Sequence, residues 1–296
     1  MRITKYYLKI IIFKLLSFGL FTKLYHIYFN FTAYRRIREK KYFISSKTTL
    51  EKHILPIIDE MLLKNKNLHL LDVGCGPDIF NNVLIYDKYY DRVNQTITDK
   101  FPKLNKKIYT NSFKYLEGND LNFKKENFFK INNFKSKDYT KNKISKKYDL
   151  LISIYVIEHF NTIELDYFLN NIKGAAKKYI FITNFTDQFF LDKWKQKNDI
   201  NKFKYLQYSD FMWNIINSKF LFQSRNRIND FEYIFEKNGF KILNIKKCDN
   251  FCNEINDEWY NDNFYKNMKI NKKYKNYKYS ELFTPTGVFI IENKNA

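Results

Sequence analysis

The sequence of 296 residues is poor in the residues that interrupt regular structure, with seven Gly and four Pro. That scarcity excludes a collagen-like chain and a Pro- or Gly-rich linker between separate modules. Cysteine is scarce too. Cys75, Cys248 and Cys252 are an odd number, which excludes a disulfide framework. Cys248 and Cys252 are spaced C-x3-C with no further Cys or His close by. The four His, at 26, 53, 69 and 159, are scattered, so no metal site is expected. Long apolar runs are missing as well. Residues 8–21, LKIIIFKLLSFGLF, are interrupted by Lys14 and are too short to span a bilayer. No small-residue cleavage site follows them, which argues against a signal peptide.

Aromatic residues are plentiful, with 30 Phe and 24 Tyr in a chain that is 45% hydrophobic. Such a chain can bury one large α/β domain with an appendage, or two small domains. The formal charge is +21, from 52 Lys and Arg against 31 Asp and Glu. Two readings stand. One is a partner of opposite charge: nucleic acid, an anionic membrane surface or an acidic substrate. The other is a coding sequence rich in A and T, which enriches Lys, Asn, Ile, Phe and Tyr together. The even spread of Lys along the chain favours the second. Residues 1–30 read as an amphipathic, Lys-bearing helix, either packed on its own domain or in weak contact with the inner membrane surface.

Periodicity gives the fold. Residues 31–66 are helical in pattern, with Ile54, Ile57, Ile58 and Met61 at core spacing. Extended runs are expected at 68–74, 93–99, 126–134, 148–160, 178–185, 241–247 and 287–293. Helices are expected at 164–177 and 231–240, the latter closed by Gly239. Strands alternate with helices, and several strands are apolar throughout, the signature of a parallel sheet covered on both faces. The expected class is α/β: a Rossmann-like, doubly wound, mostly parallel seven-stranded sheet with helices on both faces. Residues 1–50 form a basic helical extension and residues 51–296 the main domain. Residues 186–230 form an inserted lid rich in aromatics, among them Trp194, Tyr205, Tyr208 and Trp213, with Arg225 and Arg227. Its aromatics serve either a local core or an acceptor; its Arg residues suit phosphates or carboxylates. A ligand belongs over the carboxyl ends of the strands.

The first strand ends Leu70-Leu71-Asp72-Val73-Gly74-Cys75-Gly76-Pro77. Glycines at this turn let backbone approach a ligand, and the following helix aims its amino terminus at it. A dinucleotide fingerprint needs Gly or Ala at position 79, where this chain has Ile79. An acid, Asp72, precedes the first Gly by two residues, and Asp99 ends the second strand 25 residues beyond Gly74. The fourth strand runs from Asp149 through Ser153 and Tyr155 to Glu158 and His159.

These segments resemble motif I and the fourth strand of class I methyltransferases that use S-adenosylmethionine (SAM), in the subgroup that includes many small-molecule O-methyltransferases. The likeness covers residues 68 to 293, with a looser similarity to a branch associated with bacterial surface glycans and polysaccharide biosynthesis. It implies SAM as cofactor and S-adenosylhomocysteine (SAH) as product. It places Asp72, Gly74, Cys75, Gly76, Asp99, Tyr155 and Glu158 around the cofactor. Asp99 would accept from both ribose hydroxyls. The family's acid after the third strand, which meets the adenine amino group, falls on Asn132 or Asn133 if that strand is 127–131, or on Asp120 if it lies near 113–118; Asn132 is preferred. His159 is the candidate general base, or a structural residue beside the adenosine. Asp187, after the fifth strand, is read as an ordinary loop residue, with an acceptor-facing role as the alternative. The implied acceptor is a small molecule or glycan, methylated on oxygen in the cytoplasm. An RNA methyltransferase is the rival suggested by charge, though no N-P-P-Y type motif follows the fourth strand. A SAM-fold scaffold without turnover is the other.

Overall fold

The computed structural model describes residues 11, 31–76, 78–100, 109–116, 125–186, 200–217, 222–260 and 268–294. Seven strands form one sheet in the order β3-β2-β1-β4-β5-β7-β6. They are β1 (Leu68–Val73), β2 (Val93–Asp99), β3 (Asn133–Ser136), β4 (Tyr148–Ile154), β5 (Ala176–Asn184), β6 (Phe240–Cys248) and β7 (Thr286–Asn293). β1 to β5 pair in parallel, and β7 runs antiparallel to both its neighbours. The central strands β1, β4 and β5 carry apolar runs because both their faces are covered, whereas β2, VNQTITD, is buried but largely polar. The edges β3 and β6 carry exposed residues at alternate or successive positions.

Helices lie on both faces. Residues 31–38 form α1, Lys40–His53 α2, Leu55–Lys64 α3, Phe80–Tyr89 α4, Lys125–Ile131 α5, Thr162–Ile172 α6, Asp210–Ile216 α7, Ile228–Lys237 α8 and Tyr279–Leu282 α9. The helical stretch expected over 31–66 is thus three helices. It breaks at Glu39, whose backbone is extended, and at Ile54, two residues before Pro56. α1 to α4 share one core with β1, β2 and β4, built on Ile37, Phe43, Leu50, Ile58 and Phe80. α6 and α8 cover the opposite face, where the Phe235 ring lies 5.2 Å from Phe181 and 5.3 Å from Phe289. A reciprocal cap starts α6: Asn161 accepts from the Glu164 N–H, and Glu164 accepts from the Asn161 N–H.

One expected strand is misplaced. Residues 126–134 are mostly helix α5, and β3 begins only at Asn133. The run of aromatics favours a strand locally. Tertiary packing overrides it, because Phe128 fills a buried slot edge-on to Tyr86 and Phe113 at ring distances of 5.1 and 5.2 Å.

Candidate functional site

The site is built where β1 stops. After Val73 the chain turns through Gly74 (φ +80°) and Gly76 (φ +75°). The Gly74 and Cys75 N–H groups both donate to the Thr98 carbonyl, at 2.8 and 3.0 Å, fastening the loop to β2. The two glycines are needed for different reasons. A Cβ on Gly74 would stand 2.4 Å from a Val156 methyl, whereas a Cβ on Gly76 would meet nothing within 4 Å among the described residues. Among the described residues Gly76 therefore faces open space, and its N–H donates to Asp99 Oδ2 at 2.9 Å.

Three buried carboxylates, Asp72, Asp78 and Asp99, surround this loop. Asp72 accepts from Asn82 of α4 at 2.9 Å, and Asn82 also donates to Gln95 of β2. Burial pushes the Asp72 carboxyl up to about 7, against the Asn82 bond, with Asp99 and Asp78 adding repulsion. Asp78 pairs with Arg36 of α1 at 2.6 Å. The sequence reading missed this pair, because nothing local links residues 36 and 78. It also missed Tyr109, whose hydroxyl donates to the Gly76 carbonyl at 3.3 Å and whose ring stacks on Phe134. Cys75 sits beside that hydroxyl at 3.9 Å, and burial pushes its thiol well up, which favours the protonated form.

The end of β4 supplies the next wall. Tyr155 has φ +58°, unusual for a residue with a side chain. Its hydroxyl lies 3.3 Å from the Cys252 sulfur, which accepts from Thr49 of α2 at 3.2 Å. Beyond it, both carboxylate oxygens of Glu158 accept from β5, from the Thr183 hydroxyl and the Asn184 N–H. Glu158 thus braces the ends of β4 and β5. His159 Nδ1 lies 2.7 Å from the Phe222 carbonyl. A carbonyl only accepts, so Nδ1 carries the proton and Nε2 is the basic nitrogen.

Two sequence expectations are corrected. Asn132 precedes β3 and does not follow it. Its side chain is buried, accepting from the Gln95 N–H and donating to the Phe128 carbonyl, and Asn133 is the first residue of β3. The place after β3 belongs to Lys137 and Asp138: the Lys137 N–H donates to the Asp99 carbonyl at 2.9 Å. Arg225 and Arg227 do not present themselves to a ligand. Arg227 is fully buried and donates to the carbonyls of Phe185, Glu281, Leu282 and Thr284 and to the Tyr205 hydroxyl. Arg225 pairs with Asp210 and donates to the Tyr208 carbonyl. Tyr205 and Trp213 are buried in a small core with Tyr260, Tyr274 and Phe283, and Tyr208 packs against it. Asp120, Asp187 and Trp194 lie outside the described residues, as do residues 1–30 apart from Ile11.

No family model matches the chain, and no curated protein does. Among solved structures it is similar to magnesium protoporphyrin IX methyltransferase from Synechocystis PCC 6803 with bound SAH. The TM-score is 0.50 and the identity 14%, with 92% of this chain and 98% of that chain covered. Two further similar structures are the methyltransferase domain of a bacterial Hen1 (TM-score 0.45, 17% identity, 82% and 99% covered) and a methyltransferase dependent on S-adenosylmethionine from Clostridium acetobutylicum ATCC 824 (TM-score 0.42, 14% identity, 93% and 99% covered). The sheet order and the first of these likenesses define a Rossmann-like methyltransferase fold.

Proposed function

We propose that the chain is a SAM-dependent methyltransferase acting on a hydroxyl of a small molecule or glycan. The observation that carries this reading is the glycine loop at the carboxyl end of β1, with the Gly76 N–H held by Asp99 and open space where a Gly76 side chain would stand. A loop ringed by Asp72, Asp78 and Asp99 with Arg36 as counter-ion suits a ligand that carries positive charge. SAM, when bound, supplies an activated methyl group on a sulfonium.

In this reading Asp99 accepts from the ribose hydroxyls, Asp72 favours the ammonium of the methionine portion, and Gly74 and Gly76 give the backbone room to approach. Asp138 takes the adenine-facing place that the sequence reading assigned to Asn132. Tyr155 and Val156 form the wall beside the methyl-transfer position. His159, with Nε2 as its basic nitrogen, removes the acceptor proton. Glu158 holds this segment against β5.

Calorimetric titration with SAM and SAH tests the reading. Saturable micromolar binding to the wild type, weakened about 10- to 100-fold in Asp99→Ala with the fold intact, is the expected result. An absence of binding to either nucleoside would leave a methyltransferase fold without its ligand. His159→Ala should then lower turnover on a true acceptor more than it lowers SAM affinity.

A further inference from the structure

The positive charge of the chain is spread widely, but its acidic residues are not. Residues 1–38 contain eight Lys and Arg and not one Asp or Glu, although the whole chain has 31 acids. This acid-free segment includes the apolar run LKIIIFKLLSFGLF and ends in α1. A bias in coding sequence that enriches Lys does not remove acids from one end only.

α1 gives that segment a geometry. Ala33 and Ile37 point into the core, at 1% and 3% exposure. The other side of the helix carries Phe31 and Tyr34, 65% and 47% exposed, beside Arg35 and Arg38. Positions 31, 34, 35 and 38 share one helical stripe. The stripe continues onto α2 through Lys41 and Ile44, the latter 50% exposed. The two helices meet at Tyr42, where the Arg35 and Lys41 cations lie 5.9 and 5.1 Å from the ring centre, so their outer faces are contiguous. Glu39 sits among them and pairs with Arg35 and Lys41; Arg38 forms no ion pair among the described residues.

We propose that this face, Phe31, Tyr34, Arg35, Arg38, Lys41 and Ile44, docks on an anionic lipid surface. Exposed aromatic and aliphatic side chains interleaved with cations match the chemistry of a charged interface: rings enter the headgroup boundary while guanidinium and ammonium groups meet phosphates. The stretch that precedes α1 carries further cations and no acid in its sequence. α1 also sends Arg36 inward to Asp78 of the glycine loop, so the docking face stands one helix away from the candidate site.

The test is flotation of the full chain with vesicles of phosphatidylcholine alone and of phosphatidylcholine mixed with phosphatidylglycerol. Partitioning onto the anionic vesicles alone, reversed by salt, is expected. Combining Arg35→Glu, Arg38→Glu and Lys41→Glu should weaken it more than about 100-fold. Combining Lys237→Glu, Lys241→Glu and Lys273→Glu, which changes net charge equally on other elements, should weaken it far less. A second variant, Phe31→Ser with Tyr34→Ser, keeps every charge and should also reduce binding, with unchanged thermal unfolding showing that each variant is folded. Equal binding by the two charge-reversed proteins would overturn the proposal. So would retention on single-stranded RNA, lost in the first triple variant, with no vesicle binding; that result would assign the face to nucleic acid.

Discussion

The Gly76 N–H and the Asp99 carboxylate are joined by a 2.9 Å hydrogen bond across the ends of β1 and β2. The bond fixes the loop and aims the carboxylate along it. Asp99→Ala removes the acceptor and the charge together. A charge-assisted bond is worth about 1.5–3 kcal/mol, so SAM affinity should fall by about 10- to 100-fold. Calorimetry reads the loss directly, and an unchanged affinity would move the cofactor away from β2.

The two loop glycines should respond differently to alanine. At Gly74 the new methyl collides with Val156 and the positive φ is strained; a cost of about 2–4 kcal/mol is expected. At Gly76 only the φ strain of about 1–2 kcal/mol applies. Chemical denaturation ranks the two. Adding Val156→Ala should recover part of the Gly74→Ala loss and none of the Gly76→Ala loss.

Asp72 makes stability depend on pH. Its carboxyl titrates at about 7 in the fold against 3.8 for the ordinary group. Between those values the folded chain holds a proton that the unfolded chain has released. This contribution therefore falls as pH rises from about 4 to about 7 and is flat above, by about 4 kcal/mol in all. The expected signature is the difference between wild type and Asp72→Asn in urea at pH 5 and pH 8, with the variant gaining relative stability at the higher pH. A cation bound beside Asp72 favours its carboxylate, so SAM binding at pH 7 should release protons, measurable by calorimetry in two buffers of different ionisation enthalpy.

Arg227 is a strut, and its removal should unfold the region it holds. Arg227→Met leaves the carbonyls of Phe185, Glu281, Leu282 and Thr284 without this donor in a buried site. A loss of about 3–5 kcal/mol is expected, and Arg227→Lys should not restore it, because an ammonium cannot fork to several carbonyls at once. Thermal unfolding checks this. A small loss with a large drop in acceptor affinity would instead make Arg227 a ligand residue.

Much of the fold was legible because central strands must be apolar on both faces. β1, β4, β5 and β7 announce themselves as apolar runs, β2 only as an extended run of mixed character, and the order of strand and helix then implies parallel pairing. β3 was not legible. It is a short edge strand with only one partly buried residue, and the aromatics beside it belong to α5. The same slip put the expected residue after the third strand at Asn132, which in the structure precedes β3. The Gly loop and Asp99 were legible, since backbone freedom and a carboxylate after a strand are local features.

The sequence by itself determined an α/β chain with a glycine turn after its first strand, acids at the ends of the first two strands and a basic, acid-free amino-terminal segment. Those properties reside in residue type and spacing. Only the tertiary structure decided that Arg36 meets Asp78, that Tyr155 rests on Cys252 and Thr49, and that Arg225 and Arg227 are structural. These pairs join residues far apart in the chain. Their contacts follow from how helices and loops close over the strand ends, which no local pattern encodes.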